Sequence, residues 1–218
     1  MVLKHATLMH QSALRALLFT SFGVCLAVSG LPEPGLAQAN LRNTFPGRRV
    51  GGGTRGECSA RILAHLVPGS SVYSAGSSGD LAVVQGPTAN PVSLTMVFKP
   101  KAGGASTQRT FSASPAALIL VSGGSVTAPT LWESGFDCAS GDSASADPLA
   151  FVETASPPAV SLLVPTSDPS DASVQAGLKS LRSSCGSSVP TKSTLETFGL
   201  ADLVTAEWPK QIPVRCPS

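Results

Sequence analysis

Five pairs of turn residues, Pro68-Gly69, Gly86-Pro87, Asn90-Pro91, Gly103-Gly104 and Gly123-Gly124, cut the middle of this chain into segments too short for ordinary helices. Glycine reaches backbone conformations that other residues resist and proline fixes its own, so such pairs reverse the chain. Their spacing is that of an antiparallel sandwich or barrel. Between them lie strand patterns. Val92, Leu94, Met96 and Phe98 alternate with Ser93, Thr95 and Val97, a period of two that turns one face to a core. Residues 81–85 and 116–121 are unbroken apolar runs, as expected of strands buried on both faces, and residues 62–67, 131–136 and 159–164 read as further strands.

After residue 165 the pattern changes. Asp168-Pro169-Ser170-Asp171 supplies a cap, a first-turn proline and a first-turn acid, and Val174, Leu178 and Leu181 follow at helical spacing until Cys185-Gly186. Ser193-Thr194-Leu195-Glu196 has the form of a capping box opening a second short helix towards Leu203. The tail, residues 210–216, reads as extended. The fold class is therefore mainly β, an antiparallel β-sandwich with a small C-terminal helical appendage. The expected division is a signal peptide over 1–39, a basic Gly-rich arm over 40–57, a β-sandwich domain over 58–165, and a short helical pair with an extended tail over 166–218.

The leader is read from Lys4 and Arg15 ahead of an apolar run over 16–28, with Ala37-Gln38-Ala39 as the small-x-small cleavage pattern. The run is shorter than the roughly 20 residues that a spanning helix needs and is broken by Gly30, Pro32 and Pro34. Retention as an uncleaved anchor is the alternative. Val24 before Cys25 argues against a lipoprotein, and no transmembrane span follows the leader. Without it, 13 Lys and Arg (15 less Lys4 and Arg15) face 12 acids (13 less Glu33). So balanced a charge argues against nucleic acid as a partner for the whole surface.

Cys58, Cys138, Cys185 and Cys216 survive cleavage, and an even number in an exported chain favours two disulfides. Cys58 and Cys138 bracket the sheet region and Cys185 and Cys216 the helical tail, which makes those two pairings the most economical of three. The thiols are far apart and His65 is the single histidine of the cleaved chain, so zinc has no local nucleus. Asp137, Asp142 and Asp147 are spaced by five, whereas calcium-loop ligands sit two apart. Gly51, Gly53 and Gly56 fit a dinucleotide fingerprint by spacing alone. No strand precedes them and no helix follows, so the stretch reads instead as glycines admitting a close backbone approach. No cofactor is expected.

Residues 40–56 hold Arg42, Arg48, Arg49 and Arg55 without an acid. Arg48, Arg49 and Arg55 are the candidate anion contacts, towards phosphate or carboxylate on an anionic polymer, against the alternative of a solvated linker. Catalysis finds little to use. Nucleophilic hydrolysis needs a base beside its nucleophile, and His65 stands mid-strand among Leu63, Ala64, Leu66 and Val67, where a core imidazole, half buried, is expected. Glu133 and Glu153 lack a visible pocket for glycoside hydrolysis, and Trp132, Trp208 and Tyr73 are too scattered for a sugar platform.

Three segments, Gly52-Gly53-Thr54-Arg55-Gly56-Glu57-Cys58, His65-Leu66-Val67-Pro68 and Trp132-Glu133-Ser134-Gly135-Phe136-Asp137-Cys138, resemble landmarks of an exported cyanobacterial family of unknown function. Its members carry a Gly-rich Thr-Arg-Gly-x-Cys segment followed by a β-sandwich. The likeness covers residues 46–138 and departs at 92–98, which holds one aromatic where the family strand is rich in them. It implies a fold and an exported location, periplasmic or extracellular, and no reaction. The functional expectation is a non-catalytic envelope interaction or structural module, whose partner is an envelope protein or anionic polymer. The alternative is a periplasmic binder of a small ligand or glycan. A cleft of convergent polar groups would favour the alternative, and a filled sandwich with an exposed sheet edge the first.

Overall fold

The computed structural model describes residues 41–53, 61–137 and 157–217. Among these residues eleven strands build two sheets. The first runs β1 (Val50–Gly53), β2 (Arg61–His65), β4 (Asp80–Gln85), β7 (Ala117–Ser122), β11 (Gln211–Arg215) and β10 (Ser188–Pro190) in spatial order. The second runs β3 (Val72–Tyr73), β9 (Ala159–Leu163), β8 (Thr130–Phe136), β5 (Leu94–Pro100) and β6 (Thr107–Phe111). The fold is the expected β-sandwich with a small helical part. Most neighbours are antiparallel, while β11 joins β7 and β3 joins β9 in parallel. The extended tail is thus a strand of the first sheet.

The unbroken apolar runs are explained by a third layer. Helix α1 (Pro169–Arg182) lies against β4 and β7 and sets Val174, Leu178 and Leu181 into the core. One side of β4 meets the second sheet and the other meets the helix, so all six of its residues are buried. Helix α1 starts where its capping residues stand. The Asp168 carboxylate accepts from the Ser170 amide at 2.9 Å, and Asp171 Oδ2 accepts from the Asp168 amide at 2.8 Å. The second box does not form. Helix α2 (Thr191–Thr197) opens two residues before Ser193, with Pro190 at its cap and no side-chain cap bond, and a 3-10 turn over Ala201–Leu203 follows separately. The proline's fixed φ pre-sets the start.

The basic arm is docked rather than solvated. Arg42 forks onto the fully buried Asp171 at 2.7 and 3.1 Å and also reaches the Val72 carbonyl. Arg48 exchanges backbone bonds with Val160 of β9, and β1 then pairs with β2, so residues 48–53 stitch the two sheets along one flank. Gly51 makes the stitch feasible: a Cβ there would meet the Ala159 nitrogen at 2.4 Å and the Pro157 oxygen at 2.6 Å. The glycine stretch does serve a close backbone approach. The remainder of the arm, with Arg55, Cys58 and the cleavage point after Ala39, lies outside the described residues, as does Cys138. Among the described residues no helix is long and apolar enough to cross a membrane.

Candidate functional site

Three places deserve a chemical reading: the buried imidazole, the arginines of the arm and the flank opposite the stitch. His65 is fully buried, not half buried, because β2 is an inner strand whose His65 side faces the second sheet. Its ring stacks on Trp132 with centroids 3.7 Å apart and planes 6° from parallel, and its Nδ1 lies 2.8 Å from Ser161 Oγ. Burial lowers its pKa to about 3, so the ring is neutral at ordinary pH. A general base needs contact with a substrate, and this one touches only core. The surroundings that sequence could not supply are the Trp132 stack and the Ser161 hydroxyl, which come from β8 and β9, far along the chain.

Of the arm's expected anion contacts, Arg49 is turned inward. Its Nη1 donates to the carbonyls of Val67 (2.8 Å) and Phe198 (2.9 Å), and Nη2 to that of Gly199 (2.7 Å). Partial burial lowers its pKa, with Asp202 acting in the opposite sense. An anion contact at Arg49 would have to break these bonds, because α2 ends in carbonyls that need a donor. Arg48 is exposed, and its Nη2 donates to Pro158 at 3.3 Å. The sequence treated the arginines of 40–56 as one patch. The structure gives Arg42, Arg48 and Arg49 three separate sets of acceptors.

Among the described residues the remaining flank is open. Strand β6 forms the edge of the second sheet, paired on one side with β5 through Leu94–Phe111, Met96–Arg109 and Phe98–Thr107. Thr107, Gln108, Arg109 and Thr110 are all exposed. Alternation fixes which backbone groups face outward. The Ser93 carbonyl accepts from Asp137, so the odd residues of β5 bond towards β8 and the even ones towards β6. Thr107, Arg109 and Phe111 therefore bond back to β5, and the backbone polar groups of Gln108 and Thr110 point away from the sheet.

Behind this edge lie two clefts that share Arg109 and Gly123 in their walls. A cleft of about 950 Å³ is lined by Arg109, Phe111, Gly123, Gly124, Arg182 and Cys216. Its neighbour, about 280 Å³ and also bordered by Arg109 and Gly123, is mixed, with Phe98, Val126 and Leu163 in its wall beside Thr107 and Thr130. Arg109 shares the inward face with Met96, its register partner, and so overhangs the gap between the sheets; Nη1 donates to the Ser122 carbonyl at 2.8 Å. Arg182, from the last turn of α1, is ion-paired with Asp80. Among the described residues no Asp or Glu lines the larger cleft. At its rim the Cys185–Cys216 disulfide ties the end of α1 to β11, as the sequence led one to expect.

Sequence reasoning missed this place. Thr107-Gln108-Arg109-Thr110 has alternation without apolar residues, and its neighbours in the groove lie up to a hundred positions away. Compared with protein-family models, with curated proteins and with solved structures, the chain matches none.

Proposed function

We propose that the protein is a non-catalytic interaction module of the cell envelope, exported behind the 1–39 leader, that holds a partner through the open edge of its second sheet. The resemblance to exported cyanobacterial sandwich proteins belongs to the same proposal. One observation carries it: the two flanks differ, one stitched by residues 48–53 and the other ending in β6, with exposed side chains and outward backbone groups. Natural sheets usually blunt or cover an edge, since an uncovered strand is a template for another. A working edge is left open. The disulfide supports an oxidising compartment. The cleft at Arg109 and Arg182 is what favours the alternative, a small-ligand binder. It adjoins β6, however, so a partner strand would cover it.

The test is capture of a partner from envelope extract under non-reducing conditions, comparing the chain with a Gln108→Pro variant. Proline removes an outward amide and leaves the β5 ladder intact. Capture by the parent and loss by a variant with an unchanged melting transition is the expected result. A folded variant that keeps its partner, or a hydrolytic turnover by the parent, would refute the reading.

A further inference from the structure

We infer that the occupant of the β6 edge is an extended acidic peptide segment, with one carboxylate side chain seated at Arg109 and Arg182 and an apolar side chain two positions along the same strand face. This rests on the edge reading above and adds the chemistry of the partner.

A strand added to β6 lies about 4.8 Å from it, and every second side chain points to the inner face, over the groove. The inner face of β6 carries Thr107, Arg109 and Phe111. The larger cleft borders Arg109, Thr110 and Phe111, whereas the smaller one borders Thr107 and Arg109. Consecutive inner positions of the added strand are roughly 7 Å apart. One therefore falls over the arginines and the next over the Thr107 end of β6, at the outer side of the smaller cleft.

Charge selects what the first position holds. Arg109 has a carbonyl acceptor but no carboxylate partner among the described residues, and Arg182 has Asp80 on one side of its fork. A third guanidinium, Arg215, sits beside the strand end, donating to Ser112 Oγ at 3.1 Å. With three arginines against one aspartate, and no acid in the cleft wall, a carboxylate is favoured. Arginine binds it through two parallel N–H donors. A basic or neutral residue would leave Arg109 covered and without a partner charge.

The probes are three fluorescent eight-residue peptides on a threonine background. One carries Glu and Val two positions apart, the second replaces Glu with Gln, and the third is the first with N-methylated amides. Anisotropy titrations against the full chain are expected to show the Glu peptide binding about tenfold more tightly than the Gln peptide. Arg109→Gln should weaken the Glu peptide about tenfold and the Gln peptide far less, and the N-methylated peptide should not bind. The Glu preference should also shrink as salt rises. Equal affinities for Glu and Gln, with binding still lost in Gln108→Pro, would overturn the acidic specificity while the edge reading stands. Binding that survives both Gln108→Pro and N-methylation would overturn the edge reading itself. Displacement of the Glu peptide by inorganic phosphate, together with undiminished binding of the N-methylated form, would assign the arginines to free anions and overturn the inference. Cooperative melting of each variant ensures that a loss reports the site.

Discussion

Acidification should destabilise this protein through His65 before its carboxylates titrate. The imidazole is 0% exposed, stacked on Trp132 and next to Ser161, and its pKa falls from 6.5 to about 3 through burial. A histidine with a depressed folded pKa binds its proton in the unfolded chain first. Stability is therefore complete above the unfolded value of 6.5 and falls as pH drops from there towards about 3. Each unit in that window removes about 1.4 kcal/mol. Between pH 6.5 and 4.5 the loss is about 2.3 kcal/mol, because the unfolded histidine is already half protonated at pH 6.5, and this is equivalent to roughly 5–9 °C in melting temperature for a domain of this size.

The control is His65→Gln. At neutral pH it loses the stacked ring and leaves a gap beside Trp132, a destabilisation of about 2 kcal/mol. Glutamine does not titrate, so the variant's stability should stay flat where the parent's falls, and the two curves should converge near pH 5. Urea unfolding at half-unit pH intervals measures both, and the difference cancels contributions that the two proteins share. Parallel curves over pH 6.5 to 4.5 would refute the reasoning, because they would mean that the folded protein admits a proton at His65.

Three further substitutions test how the layers are joined. Asp171→Asn leaves the Arg42 guanidinium without its buried partner at 2.7 Å, so a loss of about 3 kcal/mol in urea unfolding is expected; a loss below about 1 kcal/mol would mean that the arm is not held there. Gly51→Ala drives a Cβ against backbone at 2.4 and 2.6 Å. It should open the β1 flank, seen as faster amide exchange at residues 50–53 and 62–64. Replacing Cys185 and Cys216 with serine frees a loop spanning 31 residues, with an expected loss of about 3.5 kcal/mol by thermal unfolding and no change in spectroscopic strand content.

The strands legible in the sequence were those whose pattern is set by a core. Met96 and Leu94 betray β5 by alternation, and Leu81 to Val84 betray β4 by burial on both faces. Helix α1 was legible because Asp168, Pro169 and Asp171 carry their cap chemistry within four positions. Strand β6 was not, since Thr107 to Thr110 are polar and exposed at a sheet edge and only Phe111 reaches the core. Nor was β1, where glycines ordinarily weaken a strand and are here required by Pro157 and Ala159. Strand β11 carries Pro213 and pairs in parallel with residues almost a hundred positions earlier, a partnership that no local pattern records.

The two sets of arginines show why charge read along a chain misplaced the site. Arg42 and Arg49 look like a basic patch because no acid is near them in sequence, yet folding brings Asp171 to one and the carbonyls of Val67, Phe198 and Gly199 to the other. Arg109, Arg182 and Arg215 are far apart in sequence, and folding brings the first two to one cleft and Arg215 beside the end of β6. The gathering depends on the C-terminal third: α1 delivers Arg182, β11 delivers Arg215, and the Cys185–Cys216 bridge fixes one relative to the other. What reads as a helical appendage therefore contributes one of the two arginines in the cleft wall and a third beside the end of β6. An edge strand supplied by the second sheet and charges supplied by the tail make the candidate site a product of both halves of the chain.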